Sequence, residues 1–176
     1  VVGSFAWLTT EAGAQSSPAQ VTPGSAASVA VTMEGVTAVT YFATDAADND
    51  EGENELTVRI DTTPPEVLGL PGADCSLWPP NHQMQLVAVV TASDALSGVA
   101  NGGLTVAAAS SAPSDPDDVL VVPDGAGGFS VHLRAERRGG DRGGRVYTIT
   151  ATATDRAGNE RTSTATCVVP HDRGNH

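Results

Sequence analysis

Acidic side chains are concentrated in one short stretch of this chain. Positions 45 to 55 hold six carboxylates and no basic residue: Asp45, Asp48, Asp50, Glu51, Glu53 and Glu55. Ca²⁺ takes about six to eight oxygen ligands, and such a density of carboxylates suits it. The spacing is not that of an EF-hand, because Gly52 comes one position too early after Asp48. The stretch predicts either a looser calcium loop or a solvated acidic loop that keeps a sheet edge soluble.

A second group of oxygen-bearing side chains occupies predicted turns in the second half of the chain. Asp94 lies in the loop 93–98, while Asp155 and Asn159 bracket a short turn. If these loops lie at the same end of a β-sandwich, the three side chains would converge on a cation. Alternatively, Asp155 and Asn159 close a hairpin turn through side-chain hydrogen bonds, with Gly158 in the left-handed conformation.

Two further places carry candidate calcium ligands. Asp61 lies in a predicted linker, where a bound ion would stiffen the joint between two domains. A third acidic loop spans 114–118, with Asp124 nearby, but its proline and glycine residues also favour ordinary turns. Ca²⁺ is the one cofactor that these residues predict.

Residues suited to catalysis are scattered. The four histidines, at positions 82, 132, 171 and 176, accompany neither a Gly-x-Ser-x-Gly nor a His-Glu-x-x-His motif. The acids cluster in turn loops, and aromatic residues make up only 4% of the chain, so a sugar-binding cleft around two carboxylates is not indicated. Trp78, between a leucine and a proline, is expected to fill the core. The sequence therefore predicts a protein that is not an enzyme.

Arginines are gathered around one glycine-rich loop. They are Arg134, Arg137, Arg138, Arg142 and Arg145. Guanidinium groups pair with carboxylates in forked geometry, so these residues either pair with the surrounding acids or bind an anionic ligand or a neighbouring subunit.

Two cysteines, Cys75 and Cys167, lie 92 positions apart, each beside a predicted strand. Their spacing is not that of a zinc site. The pair predicts an extracellular disulfide or, in a reducing compartment, two buried thiols. The chain begins at Val1 without Met, signal peptide or anchor, so Val1 is expected to be a processed end or the edge of a fragment.

Net charge and composition restrict the fold and the partners. The 176 residues carry a formal charge of -12, with nine arginines and no lysine, which disfavours nucleic acid and anionic membranes as partners. Valine and threonine supply 21 and 19 residues, whereas a 40% hydrophobic fraction is too high for a disordered acidic tail. These features predict a folded all-β protein without membrane insertion.

The clearest boundary is the stretch 61–65, where two prolines follow a strand-like run and favour an extended linker. It separates a domain at 1–62, with a charge of -8, from a domain at 63–170 followed by a tail at 171–176.

Alternating apolar residues predict the strands of both domains. In the first domain we expect a hairpin of 28–33 with 36–44, a third strand at 54–60 and a fourth at 4–9, too few to close a sandwich. In the second domain we expect seven strands, near 66–70, 84–92, 104–109, 118–122, 128–135, 145–154 and 161–169.

The two domains end alike, in a strand, a Thr-Asp-x-Ala-x-Asn-like turn and another strand, at 39–49 and at 147–159. With the linker 61–65, the segment 77–82 and the ending 169–172, this pattern resembles bacterial immunoglobulin-like domains that occur in tandem in secreted and cell-surface proteins. Asp48 departs from the pattern, because it occupies the place of the glycine expected before Asn49.

The resemblance implies tandem immunoglobulin-like β-sandwiches, the first short or incomplete, in an extracellular or cell-surface structural or adhesive protein. An accessory carbohydrate-binding module of a secreted glycoside hydrolase is the alternative. In this fold the first and last strands are adjacent, which implies a Cys75–Cys167 disulfide that ties the first strand of the second domain to its last. An incomplete first domain would leave a sheet edge open to another chain, and Ca²⁺ at the 45–55 loop or near Asp61 would favour self-association.

Overall fold

The computed structural model describes residues 3–10, 17–24, 26–113, 115–140 and 142–172. The chain divides into two compact units, Val1–Thr62 and Thr63–His176. Both are built from antiparallel β-sheets, and in the described part of the chain the one helical element is a 3-10 turn, Pro116–Asp118. No helix in these ranges has the length and apolar character needed to cross a bilayer.

The second unit is a sandwich of seven strands. They are β5 (Glu66–Leu68), β6 (Met84–Ser93), β7 (Val99–Ser110), β8 (Val119–Pro123), β9 (Phe129–Arg134), β10 (Arg145–Asp155) and β11 (Glu160–Val169). One sheet has the order β5-β6-β9-β8 and the other β11-β10-β7. These are the two sheets of an immunoglobulin constant-type domain. All seven strands predicted for this part of the sequence are confirmed.

Strict alternation in β10 explains the core of this sandwich. Tyr147, Ile149, Ala151 and Ala153 are fully buried, because residues two apart in a strand point to the same face. They pack against Val131 and the other buried residues of the opposite sheet. The intervening positions of β10 are threonines on the outer face of the sheet.

The disulfide joins Cys75 to Cys167, as predicted. Cys75 does not lie in the first strand of the unit but in the segment after β5, which forms a short parallel bridge to β11 between Ser76 and Val168. The Leu77 amide donates to the Val168 carbonyl at 2.9 Å. The prediction that Trp78 fills the core was wrong, because Trp78 is only half-buried and Leu77 occupies the interior.

The first unit has one described sheet. Its strands are β1 (Gly3–Thr10), β2 (Ser17–Pro23), β3 (Gly35–Thr44) and β4 (Asn54–Ile60), in the order β2-β1-β3-β4. The predicted strands at 4–9, 36–44 and 54–60 are confirmed. The hairpin of 28–33 with 36–44 was wrong: β1 and β4 occupy the two edges of β3, and 28–33 is irregular.

One face of β3 is unevenly covered. Thr37 and Val39 are buried, but Tyr41 on the same face is 44% exposed. Leu56, which pairs with Val39 across the strands, is 56% exposed. A sheet whose apolar face remains half open buries less surface than a closed sandwich.

Candidate functional site

Three carboxylates meet where the chain enters the second unit. Oxygen atoms of Asp61, Asp94 and Asp155 all lie within 4.8 Å of one another. Asp155 is 2% exposed, and the other two are half-buried. Like charges at this distance repel one another, and a divalent cation between them would remove the repulsion.

The strand register brings these residues together. Asp94 directly follows β6, and Asp155 is the last residue of β10. Glu66, the first residue of β5, pairs with Ser93, so the linker that contains Asp61 enters beside the end of β6. Asp155 also pairs with Val99 at the start of β7. The arrangement therefore follows from the pairing of β5, β6, β7 and β10.

Hydrogen bonds hold two of these carboxylates in place. Asp94 Oδ1 accepts the amide hydrogens of Gly98 at 2.7 Å and Leu96 at 3.1 Å. Asp155 accepts the backbone amide of Asn159 on one oxygen and its side-chain amide on the other, both at 2.8 Å. Asp155 and Asn159 thus close the hairpin turn that the sequence offered as an alternative, and Asp155 also takes part in the convergence.

The chemistry of the cluster fits a hard cation. Its donors are carboxylate oxygens, without thiolate or imidazole, which suits Ca²⁺ and does not suit structural zinc. Each oxygen offers more than one lone pair, so the hydrogen bonds to Asp94 and Asp155 leave coordination capacity. Three carboxylates provide about three to six of the oxygens that Ca²⁺ needs, and backbone carbonyls and water would supply the others.

The 45–55 loop is organised differently. Asp45 accepts hydrogen bonds from the Asn49 side chain and from two backbone amides, and these bonds lower its pKa. Asp50 accepts the Thr44 hydroxyl at 2.6 Å. In the described ranges, the cluster at 61, 94 and 155 is the one place where three acidic side chains converge, and Asp45, Asp48 and Asp50 are not part of it.

The turn at Asp45 repeats the turn at Asp155. The Asp45 amide donates to the Asn49 carbonyl at 2.9 Å, and the Asp155 amide donates to the Asn159 carbonyl at 3.1 Å. The residue before each asparagine has a positive φ, +60° for Asp48 and +94° for Gly158. Asp48 therefore adopts a left-handed conformation that suits glycine better.

Replacing Asp48 by glycine is expected to stabilise the first unit by about 0.5–1 kcal/mol, because the relief of backbone strain exceeds the added entropy of the unfolded chain. The measurement is the urea midpoint of the full chain in EDTA. Gly158→Ala, at the corresponding position of the second turn, is the control: a Cβ there meets no atom within 4 Å and no charge is added, so the left-handed backbone alone should lower the stability. Equal urea midpoints for the wild type and Asp48→Gly would contradict backbone strain at Asp48.

The third acidic loop has structural roles. Asp124 closes a turn by accepting the amides of Ala126 at 2.7 Å and Gly128 at 2.8 Å, which lower its pKa. Asp118 is 3% exposed and lies between two arginines, with Arg145 Nη2 at 2.8 Å and Arg134 Nε at 2.9 Å.

Burial acts to raise the pKa of Asp118, but hydrogen bonds from Arg145 and from the Asp115 amide, with the charge of Arg145, hold it below its usual value. Arg145 lies 4.7 Å from the Tyr147 ring centroid. The Tyr147 hydroxyl donates to the Arg134 carbonyl at 2.9 Å, and burial raises the Tyr147 pKa to about 12.

The arginines of this cluster therefore have different partners. Arg134 and Arg145 pair with an acid, which confirms the first of the two alternatives for them. Arg137 instead donates to the carbonyls of Pro170 at 3.1 Å and His171 at 2.6 Å and holds the segment directly after β11. Sequence reasoning did not single out Asp118, although an acid beside a short apolar strand was a usable signal.

The described histidines lie in separate surroundings. His82 Nδ1 is 3.4 Å from Glu136, and His171 Nδ1 is 3.3 Å from Asp172. His132 lies on the outer face of β9, opposite Leu86 and Leu120 of the adjoining strands. His176 falls outside the described residues. None of the described histidines belongs to the three-aspartate cluster.

Comparisons with known proteins assign no family to this chain. A scan against protein-family models and a search of curated proteins each found no match. Among solved structures, the chain is similar to the protocadherin gammaB4 extracellular domain, with a TM-score of 0.48, 13% identity and coverage of 93% of this chain and 26% of that chain. It is also similar to the protocadherin gammaB7 EC3-6 cis-dimer structure, with a TM-score of 0.45, 14% identity and coverage of 94% and 39%.

The chain therefore spans well under half the length of these structures. These neighbours are extracellular domains of protocadherins. A likeness of this degree identifies no family, ligand or partner of this chain.

Proposed function

We propose that this chain is an extracellular, non-catalytic structural or adhesive module that Ca²⁺ stabilises at Asp61, Asp94 and Asp155. The observation that carries the proposal is the convergence of these three carboxylates within 4.8 Å. The disulfide supports an oxidising, extracellular location. Tandem repetition in a bacterial surface protein is part of the proposal and rests on the repeated turn and the linker motif.

The role of the ion would be mechanical. Asp61 belongs to the segment that leads into the second unit, whereas Asp94 and Asp155 belong to the ends of β6 and β10. An ion held by all three would fix the linker segment at Asp61 to these strand ends. A linker segment held in this way would be stiffer, which suits a spacer or adhesive protein.

Calcium is expected to raise the melting temperature of the full chain by on the order of 5 °C at a concentration well above Kd, because it binds the folded state alone. The measurement is a thermal melt in CaCl₂ and in EDTA. Asp94→Asn and Asp155→Asn should abolish the difference between the two conditions, since each removes one charge from the cluster.

Asp124→Asn is the matched control. Asp124 closes its turn through two backbone amides, as Asp94 does, but it is outside the cluster. This variant should lose the same local turn stability in EDTA and keep the full calcium shift. A wild-type melting temperature that is identical in CaCl₂ and EDTA would overturn calcium binding and leave only the spacer role.

We further propose that the first unit is incomplete and offers a sheet edge to another strand. Its described sheet ends in β2 on one side and β4 on the other, and Leu56 of β4 is largely exposed. An open edge presents unpaired backbone groups that a strand from another chain or from further sequence can pair with.

A carbohydrate-binding role has less support from the geometry. Sugar binding modules use exposed aromatic faces, but Tyr147 is fully buried and Trp78 is half-buried. Tyr41 alone among these residues presents a large exposed fraction.

A further inference from the structure

The sheet β5-β6-β9-β8 has an unusual outer face. Four large aliphatic side chains stand exposed on it: Leu86 is 56% exposed, Val89 51%, Leu120 50% and Val122 37%. We call these four residues the aliphatic face. Leu68 of β5, 41% exposed, lies at its rim. Exposed apolar residues are ordinary when single, but a contiguous group of them on one face marks an interaction surface.

The register makes the group contiguous. Leu86 and Leu120 both pair with His132 of β9, and Val89 and Val122 both pair with Ser130. Each pair therefore forms one row across three strands. Neighbouring strands are about 4.8 Å apart, so the aliphatic side chains of β6 and β8 form two ridges about 9–10 Å apart. The shorter or more polar side chains of β9 form the floor between them.

A β-bulge creates this face. The register shifts between Leu86 and Ala88, so Val87 is the additional residue. Leu86 and Val89 are three positions apart and would point to opposite faces of a regular strand, but the bulge places both outside. Ala88 and Val90 meanwhile remain in the core.

The other sheet of the same sandwich provides a contrast. Its outer rows are Thr166–Thr148–Ala109, Thr164–Thr150–Ala107 and Thr162–Thr152–Thr105. Small and hydroxyl-bearing side chains are thus sufficient for an exposed sheet face in this domain. Strand formation does not require leucine and valine at the outer positions of β6 and β8, which leaves burial against a partner as the physical use of those residues.

The distribution of charge bears on which partner this face accepts. The chain carries a net charge of -12, so two copies repel each other over most of their surfaces. The outer positions that pair across β6, β9 and β8 in these two rows contain no carboxylate. This neutral, apolar face is where two copies can approach without opposed charges, whereas a cationic partner would be attracted to the acidic loops instead.

We propose that two copies of this chain associate through the aliphatic face in an isologous dimer. The two sheets would pack face to face about 10 Å apart, with the β8 ridge of each copy in the groove over β9 of the other. Strand β8 is an edge strand, so its ridge is accessible. This dimer is independent of the proposed calcium site and of the open edge of the first unit.

Sedimentation equilibrium of the full chain, over concentrations up to about 1 mM, tests the proposal. The wild type should show a monomer–dimer equilibrium. Leu86→Glu and Leu120→Glu, which lie on different strands, should each weaken it at least tenfold, because each places a charge in an apolar contact. Both side chains are half exposed or more, so both variants are expected to fold, and their melting temperatures verify this.

Two variants serve as matched controls. Thr164→Glu adds the same charge to the outer face of the other sheet, and Leu96→Glu replaces an equally exposed leucine in a loop. Both should dimerise nearly as the wild type does. Added NaCl should strengthen the dimer by screening the -12 charges, and EDTA should leave it unchanged.

Several results would overturn the proposal. One is a wild type that is monomeric throughout the concentration range, and another is dimerisation that survives both leucine substitutions. Loss of the dimer in EDTA would also overturn it and would assign association to calcium. A dimer that persists without any calcium effect on melting would support this inference while the calcium proposal fails.

Discussion

Replacing Asp118 by alanine is expected to lower the free energy of unfolding by about 3–5 kcal/mol, because it leaves a buried arginine without its counter-charge. The Arg145 side chain is 4% exposed and donates to Asp118 at 2.8 Å. Chemical denaturation of the full chain measures the change. Asp124→Ala is the control, since Asp124 is an exposed turn residue and its loss should cost much less.

A second variant separates the charge from the packing. In Asp118→Leu/Arg145→Met the buried charges of this pair are both replaced by apolar groups, so most of the lost stability should return. If Asp118→Ala unfolds at the wild-type denaturant midpoint, the ion pair contributes nothing and the burial of Asp118 is not as described.

The lowered pKa of Asp118 predicts that its contribution to stability depends on pH. The pKa of Asp118 is lower in the folded protein than in the unfolded chain, where it is about 3.9. Its contribution to stability is therefore complete above the unfolded value and is lost as the pH falls through the folded value. The stability difference between wild type and Asp118→Asn should shrink as the pH is lowered below about 4.

Removal of the disulfide has the second large expected effect. Cys75 and Cys167 close a loop with a sequence separation of 92, and in the chain-entropy model such a bond stabilises by about 4–5 kcal/mol. We expect Cys75→Ser/Cys167→Ser to show this loss in urea unfolding of the full chain. The bond lies within the second unit, so the transition of that unit should move.

Reduction of the wild type by dithiothreitol is the companion measurement, because it breaks the bond without changing any residue. The reduced wild type and the double serine variant should unfold at similar urea concentrations. A reduced protein with the midpoint of the oxidised one would show that the crosslink does not constrain the unfolded chain.

Local sequence patterns were sufficient to predict most strands and turns of the second unit. The alternation of Tyr147, Ile149, Ala151 and Ala153 with threonines predicts both β10 and its buried face, because a strand repeats every two residues. The turn at Asp155 was likewise readable, since aspartate, glycine and asparagine at that spacing form side-chain-closed turns. The Cys75–Cys167 pair followed from the resemblance, and the bond is present.

Other features depend on contacts that are distant in sequence. The segment 28–33 is as rich in β-branched residues as a strand, but β1 and β4 occupy both edges of its expected partner. The strand β2 escaped prediction because it contains Pro18, which removes a backbone donor. Propensity describes how well a residue tolerates an extended backbone, whereas pairing depends on which edges remain free.

The candidate sites also combine local features, which the sequence shows, with contacts between distant residues, which only the structure shows. The sequence identified Asp61, Asp94 and Asp155 as oxygen donors in loops, but their convergence needed the pairing of Glu66 with Ser93. Asp118 looked like a member of an acidic loop until folding buried it between two arginines. In β6, one additional residue at Val87 reversed the faces that simple alternation assigns. Residue types and turns are local properties, whereas register, bulges and burial arise only when strands from distant parts of the chain pack together.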